Sequence, residues 1–298
     1  MSQGEAAASI RHSSAPIPVL TQLRQGIVDI LSRRRLIRYL VQAEMKKRGS
    51  DTFLGNLWWI LDPILQMVVY VVFITIIARR PAPDYPLFIF AAIVPWKWYS
   101  AVISDATTAV VRQEKLIRQI AFPKLVLPTA TTVAGVVGFA WGLLPLLVLM
   151  LLHRSTVDRL TIQLIWLPVI AGVQFVFTLA SAILISAANV YFRDLGNAVG
   201  HALRLWWFLS PGLYSLANLE EIKTIQDHPW LGFLASMNPF AVLFEAYRAV
   251  IYGAPDGVGP PHMPDLAALG ILLAASLAFL GLCILFFKRV EPDFAKVL

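Results

Sequence analysis

The stretch Leu125–Leu152, LVLPTATTVAGVVGFAWGLLPLLVLMLL, contains no Asp, Glu, Lys or Arg. A helix needs about 20 mostly apolar residues to cross the hydrocarbon core of a membrane, because each residue advances it by about 1.5 Å. This stretch therefore predicts a membrane-spanning helix. Over the whole chain 58% of the residues are hydrophobic and 14% are charged, whereas soluble domains carry about 25% charged residues. The composition excludes a water-soluble enzyme.

Five further stretches are apolar and long enough to cross the membrane. The six predicted spans cover residues 56–78, 85–111, 125–152, 160–188, 198–217 and 266–287. An even number of spans puts both termini on one side. The segments on that side contain 17 Lys and Arg residues and the opposite segments contain six, and basic loops are retained in the cytoplasm. The sequence thus predicts an all-α, multi-pass integral membrane protein with both termini in the cytoplasm.

The segments outside the spans also have recognisable compositions. Residues 1–19 contain no continuous apolar stretch, so we expect them to be disordered and not to form a cleavable signal peptide. Residues 20–55 place apolar side chains on one helical face beside basic clusters, which predicts an amphipathic interface helix and linker at the surface of anionic lipid. An ordinary juxtamembrane helix is the alternative. A transmembrane domain at 56–288 and a cytoplasmic tail at 289–298 complete the predicted organisation.

The segment 218–265, between spans 5 and 6, has two short apolar pieces separated by Asn238-Pro239. Neither piece is long enough to cross a bilayer. Two half-length helices around this break predict a re-entrant helical hairpin on the outer face, packed against protein or a water-filled cavity. A helical loop lying on the outer surface is the alternative.

The chain lacks the motifs of catalytic and metal-binding proteins. No Gly-x-x-x-x-Gly-Lys-Ser/Thr occurs, so no P-loop can hold a nucleotide. The five histidines are scattered, and the single Cys283 excludes a disulfide and a Cys-based metal site. The adjacent acids Glu220 and Glu221 are typical of a solvated surface. We therefore expect no catalytic residue, metal or cofactor in this chain, and no nucleic-acid partner, since the charges of the +7 chain are grouped between apolar runs.

Four ionisable residues fall inside the predicted spans: Asp62, Lys97, Asp105 and Arg204. Each is costly in hydrocarbon and is expected to face the bundle interior, a cavity or a partner. Two interpretations stay open for them. They line a polar channel, or they snorkel and pair with one another within the membrane.

Aromatic residues also occur at unusual depth. Trp96 and Trp98 lie roughly 15 Å inside the second span, too deep for an interfacial belt. Rings stack on the apolar faces of sugars, so a glycan path is one use for them and bundle packing is the other. Trp96 and Tyr99 share a helical face, while Trp98 points away. The candidate channel residues are Trp58, Tyr70, Phe73, Trp96, Lys97, Tyr99 and Trp206.

Several short motifs follow one another along residues 35–298. They are Arg48–Trp58, Tyr85-Pro86-Leu87-Phe88, Pro95-Trp96, Leu116–Lys124, Arg193-Asp194-Leu195, Ser210-Pro211, Asn238-Pro239, Tyr247-Arg248 and the tail with Glu291, Phe294 and Ala295. Their order resembles that of type-2 ABC transporter permeases of the polysaccharide-exporting kind, which serve O-antigen, capsular polysaccharide or teichoic acid. Gly49, Thr52 and Gln119 depart from the family pattern.

The resemblance implies a homodimer that binds two copies of a separate ATP-binding subunit, which holds ATP and Mg. It further implies a lipid-linked polysaccharide substrate and a place in the bacterial plasma (inner) membrane. A coupling helix at 112–124 is implied to contact the ATPase through Arg112, Glu114, Lys115, Leu116, Ile117, Arg118, Phe122 and Pro123. The implied outer gate comprises Asn238, Pro239, Tyr247 and Arg248. The alternatives are a type-2 exporter of drugs or lipids and, less favourably, an integral-membrane glycosyltransferase.

Overall fold

The computed structural model describes residues 18–49, 54–78, 84–120, 122–152, 160–215, 226–253 and 259–298. Within these ranges all regular secondary structure is helical. Three sequence interpretations fall wholly or mostly outside them: the disorder of 1–19, the start of the Arg48–Trp58 motif, and the pair Glu220-Glu221.

The helices are numbered here in chain order within the described ranges. They are α1 (Val19–Ser32), α2 (Arg34–Gly49), α3 (Trp58–Val72), α4 (Tyr85–Ala109), α5 (Glu114–Gln119), α6 (Val126–Leu152), α7 (Leu167–Tyr191), α8 (Leu195–Leu209), α9 (Pro229–Ser236), α10 (Pro239–Ile251), α11 (Leu266–Val290) and α12 (Phe294–Val297). A π-helical stretch, Phe73–Ala78, extends α3, and short 3-10 turns precede α3, α5, α7 and α12.

Five helices of the described part are long and apolar enough to cross a membrane. They are Trp58–Ile76, Tyr85–Ala109, Val126–Leu152, Ile162–Tyr191 and Leu266–Val297. They coincide with predicted spans 1, 2, 3, 4 and 6, so the multi-pass helical architecture is confirmed for these five.

The prediction of one continuous helix over 198–217 is wrong. α8 ends at Leu209, and Ser210 is extended at φ −94° and ψ 149°. Pro211 explains the break, because proline excludes the helical conformation from the preceding residue and has no N–H to donate. At about 1.5 Å per residue, α8 is only about 22 Å long. The apolar composition of 198–217 predicts a span but does not indicate this break.

The predicted amphipathic helix is also interrupted. Arg33, at φ −98° and ψ 24°, separates α1 from α2. α1 packs on α11 so closely that a Cβ added at Gly26 would lie 2.5 Å from Cγ2 of Ile284, while α2 packs along α6. On either side of the break, the basic segment therefore packs mainly on α11 through α1 and on α6 through α2.

The core of the bundle is built around α4, which contacts α3, α6, α7, α8 and α10. α10 follows the first half of α4. The Phe240 ring at its start lies 4.8 Å from both Trp96 and Tyr99, whereas the Tyr252 ring after its end lies 5.3 Å from Phe88. α10 therefore begins deep beside α4 and ends near the turn where α4 begins.

Candidate substrate cleft and partner-docking surface

A cleft of about 440 Å³ opens between α3, α4 and α8. Its polar lining consists of Asp62, Gln66, Lys97, Ser100, Ser104 and Arg204. Its aromatic walls are Tyr70, Trp96, Trp207 and Phe208. The cleft thus combines charges, hydrogen-bonding groups and ring faces within a bundle of otherwise apolar helices.

An ion pair joins α3 to α4 at this cleft. Lys97 Nζ lies 2.7 Å from Asp62 Oδ2, with the two side chains 31% and 60% exposed. Exposed charges are costly in hydrocarbon, so we expect this side of the pair to meet water, a polar ligand or a partner chain. Pairing within the membrane was one of the two interpretations left open by the sequence. The pair also borders a second cavity of about 250 Å³ between α3, α4 and α6.

Three polar residues of the cleft were missed from the sequence: Gln66, Ser100 and Ser104. A signal for them was available. Gln66 lies four residues after Asp62, and Ser100 and Ser104 lie three and seven residues after Lys97. Each set therefore shares one face of its helix with a charge already identified.

The deep aromatic residues of α4 are almost fully buried in protein. Trp96 is 5% exposed and packs at 5.5 Å from Trp207, while Tyr99 is 3% exposed and stacks at 5.6 Å on Phe177. Trp98 packs on the other side of α4, with its ring 4.7 Å from Phe139 of α6, as the spacing predicts. The structure brings Trp96 to the edge of the cleft, but most of its surface contacts protein.

The remaining candidate channel residues are divided between different surfaces. Tyr70 lines the cleft and stacks on Trp207 at 5.8 Å. Trp58 borders the smaller cavity and is 46% exposed, and Phe73 is 49% exposed on α3. Trp206 and Tyr99 instead line an apolar groove between α4, α7, α8 and α11. Of the seven candidates, the cleft brings together Tyr70, Trp96 and Lys97.

Asn238 joins the end of α8 to the start of α10. Its Oδ1 accepts hydrogen bonds from the backbone N–H of Phe240 at 3.0 Å and from Nε1 of Trp206 at 3.2 Å. Its Nδ2 donates to Oγ of Ser210 at 2.8 Å. Asn238 thus caps α10, for which an Asn side chain is well suited, and Pro239 occupies the favoured first position of that helix.

Arg248 holds the irregular segment that follows α8. Although it is only 2% exposed, it donates hydrogen bonds to the carbonyl oxygens of Pro211 at 2.7 Å, Gly212 at 2.6 Å and Tyr214 at 3.1 Å. Arg248 Nε also donates to the backbone carbonyl of Phe88 in α4 at 3.4 Å, and Arg248 Cζ lies 3.7 Å from the centre of the Phe88 ring. A planar guanidinium with five donors fits such a group of acceptors.

A carboxylate lies beside the buried guanidinium: Glu245 Oε1 is 3.6 Å from Arg248 Nη1. Tyr247, the adjacent candidate gate residue, is 1% exposed and packs towards Phe139. Both residues are fixed by packing in this conformation, and their role in a gate stays a prediction.

The predicted helix at 112–124 is shorter than expected. A 3-10 turn at Val111–Gln113 leads into α5, and the chain leaves the helix at Ile120, which is extended at φ −132° and ψ 132°. The helix therefore ends before Pro123 rather than at it. Pro123 disfavours the helical conformation only at Phe122, so it does not explain the earlier end of α5; β-branched Ile120 fits its extended backbone well.

α5 has one face in solvent and one in the protein. Arg112, Lys115 and Arg118 are exposed, and Arg118 pairs with Glu114 at 3.1 Å. Leu116, Phe122 and Pro123 are half-buried, whereas Ile117 is 5% exposed and packs in the same core cluster as Phe294 and Leu298. Ile117 thus anchors α5 to its own chain. The exposed apolar residue here is Ile120, at 55%, which the sequence interpretation omitted.

Residues 35–252 match the family model described as ABC-2 type transporter. The chain belongs to the ABC-2 type transporter family. This ABC-2 type chain is 33% identical over 268 residues to the O-antigen export system permease protein RfbA of Myxococcus xanthus, covering 90% of the chain and 97% of the relative. Two Klebsiella pneumoniae proteins of the same name are 23% identical over 264 and 265 residues, covering 88% of the chain and 95% of each relative.

Proposed function

We propose that this chain is the permease subunit of an ATP-driven exporter that moves a lipid-linked polysaccharide across the bacterial inner membrane. O-antigen, capsular polysaccharide and teichoic acid are the substrate classes considered. The polar, aromatic-walled cleft between α3, α4 and α8, in a chain of the ABC-2 type family, carries the proposal. The names of three relatives that align along nearly their whole length support it.

The chemistry of the cleft suits a glycan joined to a phosphate-bearing lipid. Sugar hydroxyls exchange hydrogen bonds with side chains such as Gln66, Ser100 and Ser104, and the apolar faces of sugar rings pack on aromatic rings such as Tyr70. Lys97 and Arg204 supply cations for a phosphate or diphosphate group. A purely apolar substrate would not match the polar lining of this cleft, which comprises Asp62, Gln66, Lys97, Ser100, Ser104 and Arg204.

We further propose that the chain crosses the membrane six times. Tyr85 Oη, at the start of α4, donates to the carbonyl of Leu213 at 3.3 Å. Because α8 begins close to the other end of α4, this contact supports a fifth crossing made by α8 together with residues 210–213. The position of α10 along α4, about 20 Å deep at Tyr99 by helical rise, supports a re-entrant hairpin formed by α9 and α10.

The ends of the helices support a common side for the termini and the docking surface. α5 and α12 contact each other, and α1 contacts α11 near the end of that span. Given the excess of Lys and Arg on this side, we propose that it is cytoplasmic. The ATPase would dock on Arg112, Lys115, Arg118 and Ile120 and bind all the ATP and Mg. Two permease copies would form a homodimer.

Co-reconstitution with the separate ATPase subunit tests the function. Proteoliposomes that contain both subunits and a labelled polyprenyl-diphosphate glycan should show ATP-dependent movement of the glycan, and the permease alone should show neither transport nor ATP hydrolysis. Preferential transport of drugs or simple lipids would favour the alternative exporter. Formation of a new glycosidic bond without the ATPase would favour a glycosyltransferase.

A further inference from the structure

A carboxylate is buried where the last span ends. Glu291 is 8% exposed. Its Oε1 accepts a hydrogen bond from the backbone N–H of Lys124 at 2.6 Å, and its Oε2 accepts one from Lys288 Nζ at 2.9 Å. Lys124 belongs to the connection between α5 and α6, so Glu291 ties the chain after α5 to the end of α11.

The same ammonium group extends the link to the N-terminal segment. Lys288 Nζ also pairs with Asp29 of α1. Asp29 lies three residues after Gly26, the point of closest approach between α1 and α11, so both residues share one helical face. One ammonium group is thus held by carboxylates from two segments that are distant in sequence, as charge-assisted hydrogen bonds permit.

Apolar contacts surround this polar group. Ile117 of α5, Phe287 of α11, and Phe294 and Leu298 of the tail belong to one buried cluster. α5 is only six residues long, and a helix of that length is not stable by itself in water. The position of α5 is therefore set by these tertiary contacts, and Glu291 holds the connection that follows it at Lys124.

We propose that Glu291 is a positioning residue for transport: it joins the connection between α5 and α6, at Lys124, to the last span and, through Lys288, to α1. This inference rests on the proposed function, because it takes α5 as the helix that the ATPase moves. A displacement of α5 then reaches α11 and α1 together. Without the Glu291 carboxylate, the connection at Lys124 can move by itself. A displacement of α5 is then not transmitted to α11 and α1.

Three variants test separately the contacts that Lys124, Lys288 and Asp29 make in this group. Glu291→Gln keeps an oxygen that can accept from Lys124 but removes the charge that Lys288 binds. Glu291→Ala removes both contacts, and Asp29→Asn weakens only the link to α1. Lys296→Gln is the matched control, since it breaks an exposed pair with Asp293 in the same tail, where the two groups lie 2.9 Å apart.

The measurement is made on the whole complex of permease and ATPase in proteoliposomes. We expect Glu291→Ala, which removes both contacts, to lower the amount of glycan exported per ATP hydrolysed by about tenfold, which corresponds to about 1.4 kcal/mol. Glu291→Gln and Asp29→Asn should lower it less, by about threefold, and Lys296→Gln should leave it unchanged. Recovery of the ATPase on pull-down and its glycan-independent turnover should stay near the wild-type values, which a merely structural defect would not allow.

Equal export per ATP in Glu291→Ala and wild type would overturn the inference. If Glu291→Ala fails to assemble, the nearly isosteric Glu291→Gln decides, and wild-type coupling in that variant overturns the inference as well. Failure of the wild-type complex to export any glycan would instead refute the proposed function. The two failures are therefore distinguishable.

Discussion

α3 and α4 are neighbouring apolar spans, but they have opposite surroundings. In the most apolar window of α4, 78% of the residues are buried inside the protein, whereas in that of α3 only 11% are. Among the described helices, α4 contacts α3, α6, α7, α8 and α10. By contrast, side chains of α3 and its π-helical extension remain exposed: Leu65, Val68, Val69, Val72 and Ile76. α4 is the central support of the bundle, and α3 has a face available for lipid or a second copy of the chain.

This difference shows what hydropathy measures. Lipid tails are as apolar as a leucine side chain, so a helix buried in protein and a helix facing lipid have equally apolar sequences. Hydropathy therefore identifies a membrane-crossing helix but does not show whether protein or lipid surrounds it.

The largest effect is expected at Arg248, which packs beside the start of α4. Arg248→Ala should leave four carbonyl oxygens without their donor, at a cost of at least about 4 kcal/mol if each loses about 1 kcal/mol. Thermal unfolding in detergent should show a large decrease in melting temperature and in folded yield. Arg289→Ala, an exposed cation at the end of α11, is the control. A melting temperature within 2 °C of wild type, a shift of roughly 1 kcal/mol or less, would show that Arg248 is not needed for the fold.

The second effect concerns the deep rings of α4. Trp96→Ala and Trp98→Ala should each cost about 3 kcal/mol, because both rings are packed against protein and truncation leaves a cavity. Trp58→Ala on α3, where the ring is 46% exposed, should cost much less.

Thermal unfolding and export measured on the same three variants distinguish packing from a glycan path. Parallel losses of stability and export in Trp96→Ala support packing. Unchanged stability with lost export would support the channel role for Trp96.

A smaller effect on stability is expected at the ion pair that links the two helices. The double variant Asp62→Asn with Lys97→Met should change stability by no more than about 1 kcal/mol, since the pair is partly exposed. Export should fall several-fold, because the cleft loses both of these charges. Single and double variants measured together give the coupling energy of the pair. Normal export in the double variant would argue against a role for these charges in transport.

The smallest effect on stability is expected on the exposed face of α3. In a Cys283→Ser background, Val69→Cys should leave melting unchanged, since Val69 is 63% exposed. A short bifunctional thiol reagent applied in membranes should then trap dimers if this face meets a second copy. Ile271→Cys on α11, where the residue is 72% exposed, is the control. Cross-linked dimers of Ile271→Cys but not of Val69→Cys would place the interface on α11 rather than on α3.

The sequence by itself determined five membrane-crossing helices and the resemblance to polysaccharide-exporting permeases. It also determined that Trp96 and Trp98 lie on different sides of their helix. These features follow from local properties: the length of an apolar run, the helical repeat and the order of short motifs. Only the tertiary structure decided that α4 is buried while α3 is not, that Ile117 faces its own chain, and that Arg248 and Glu291 each hold distant segments together. Such features depend on which residues meet across the bundle. No pattern along the chain pairs Lys124 with Glu291 or Phe88 with Arg248.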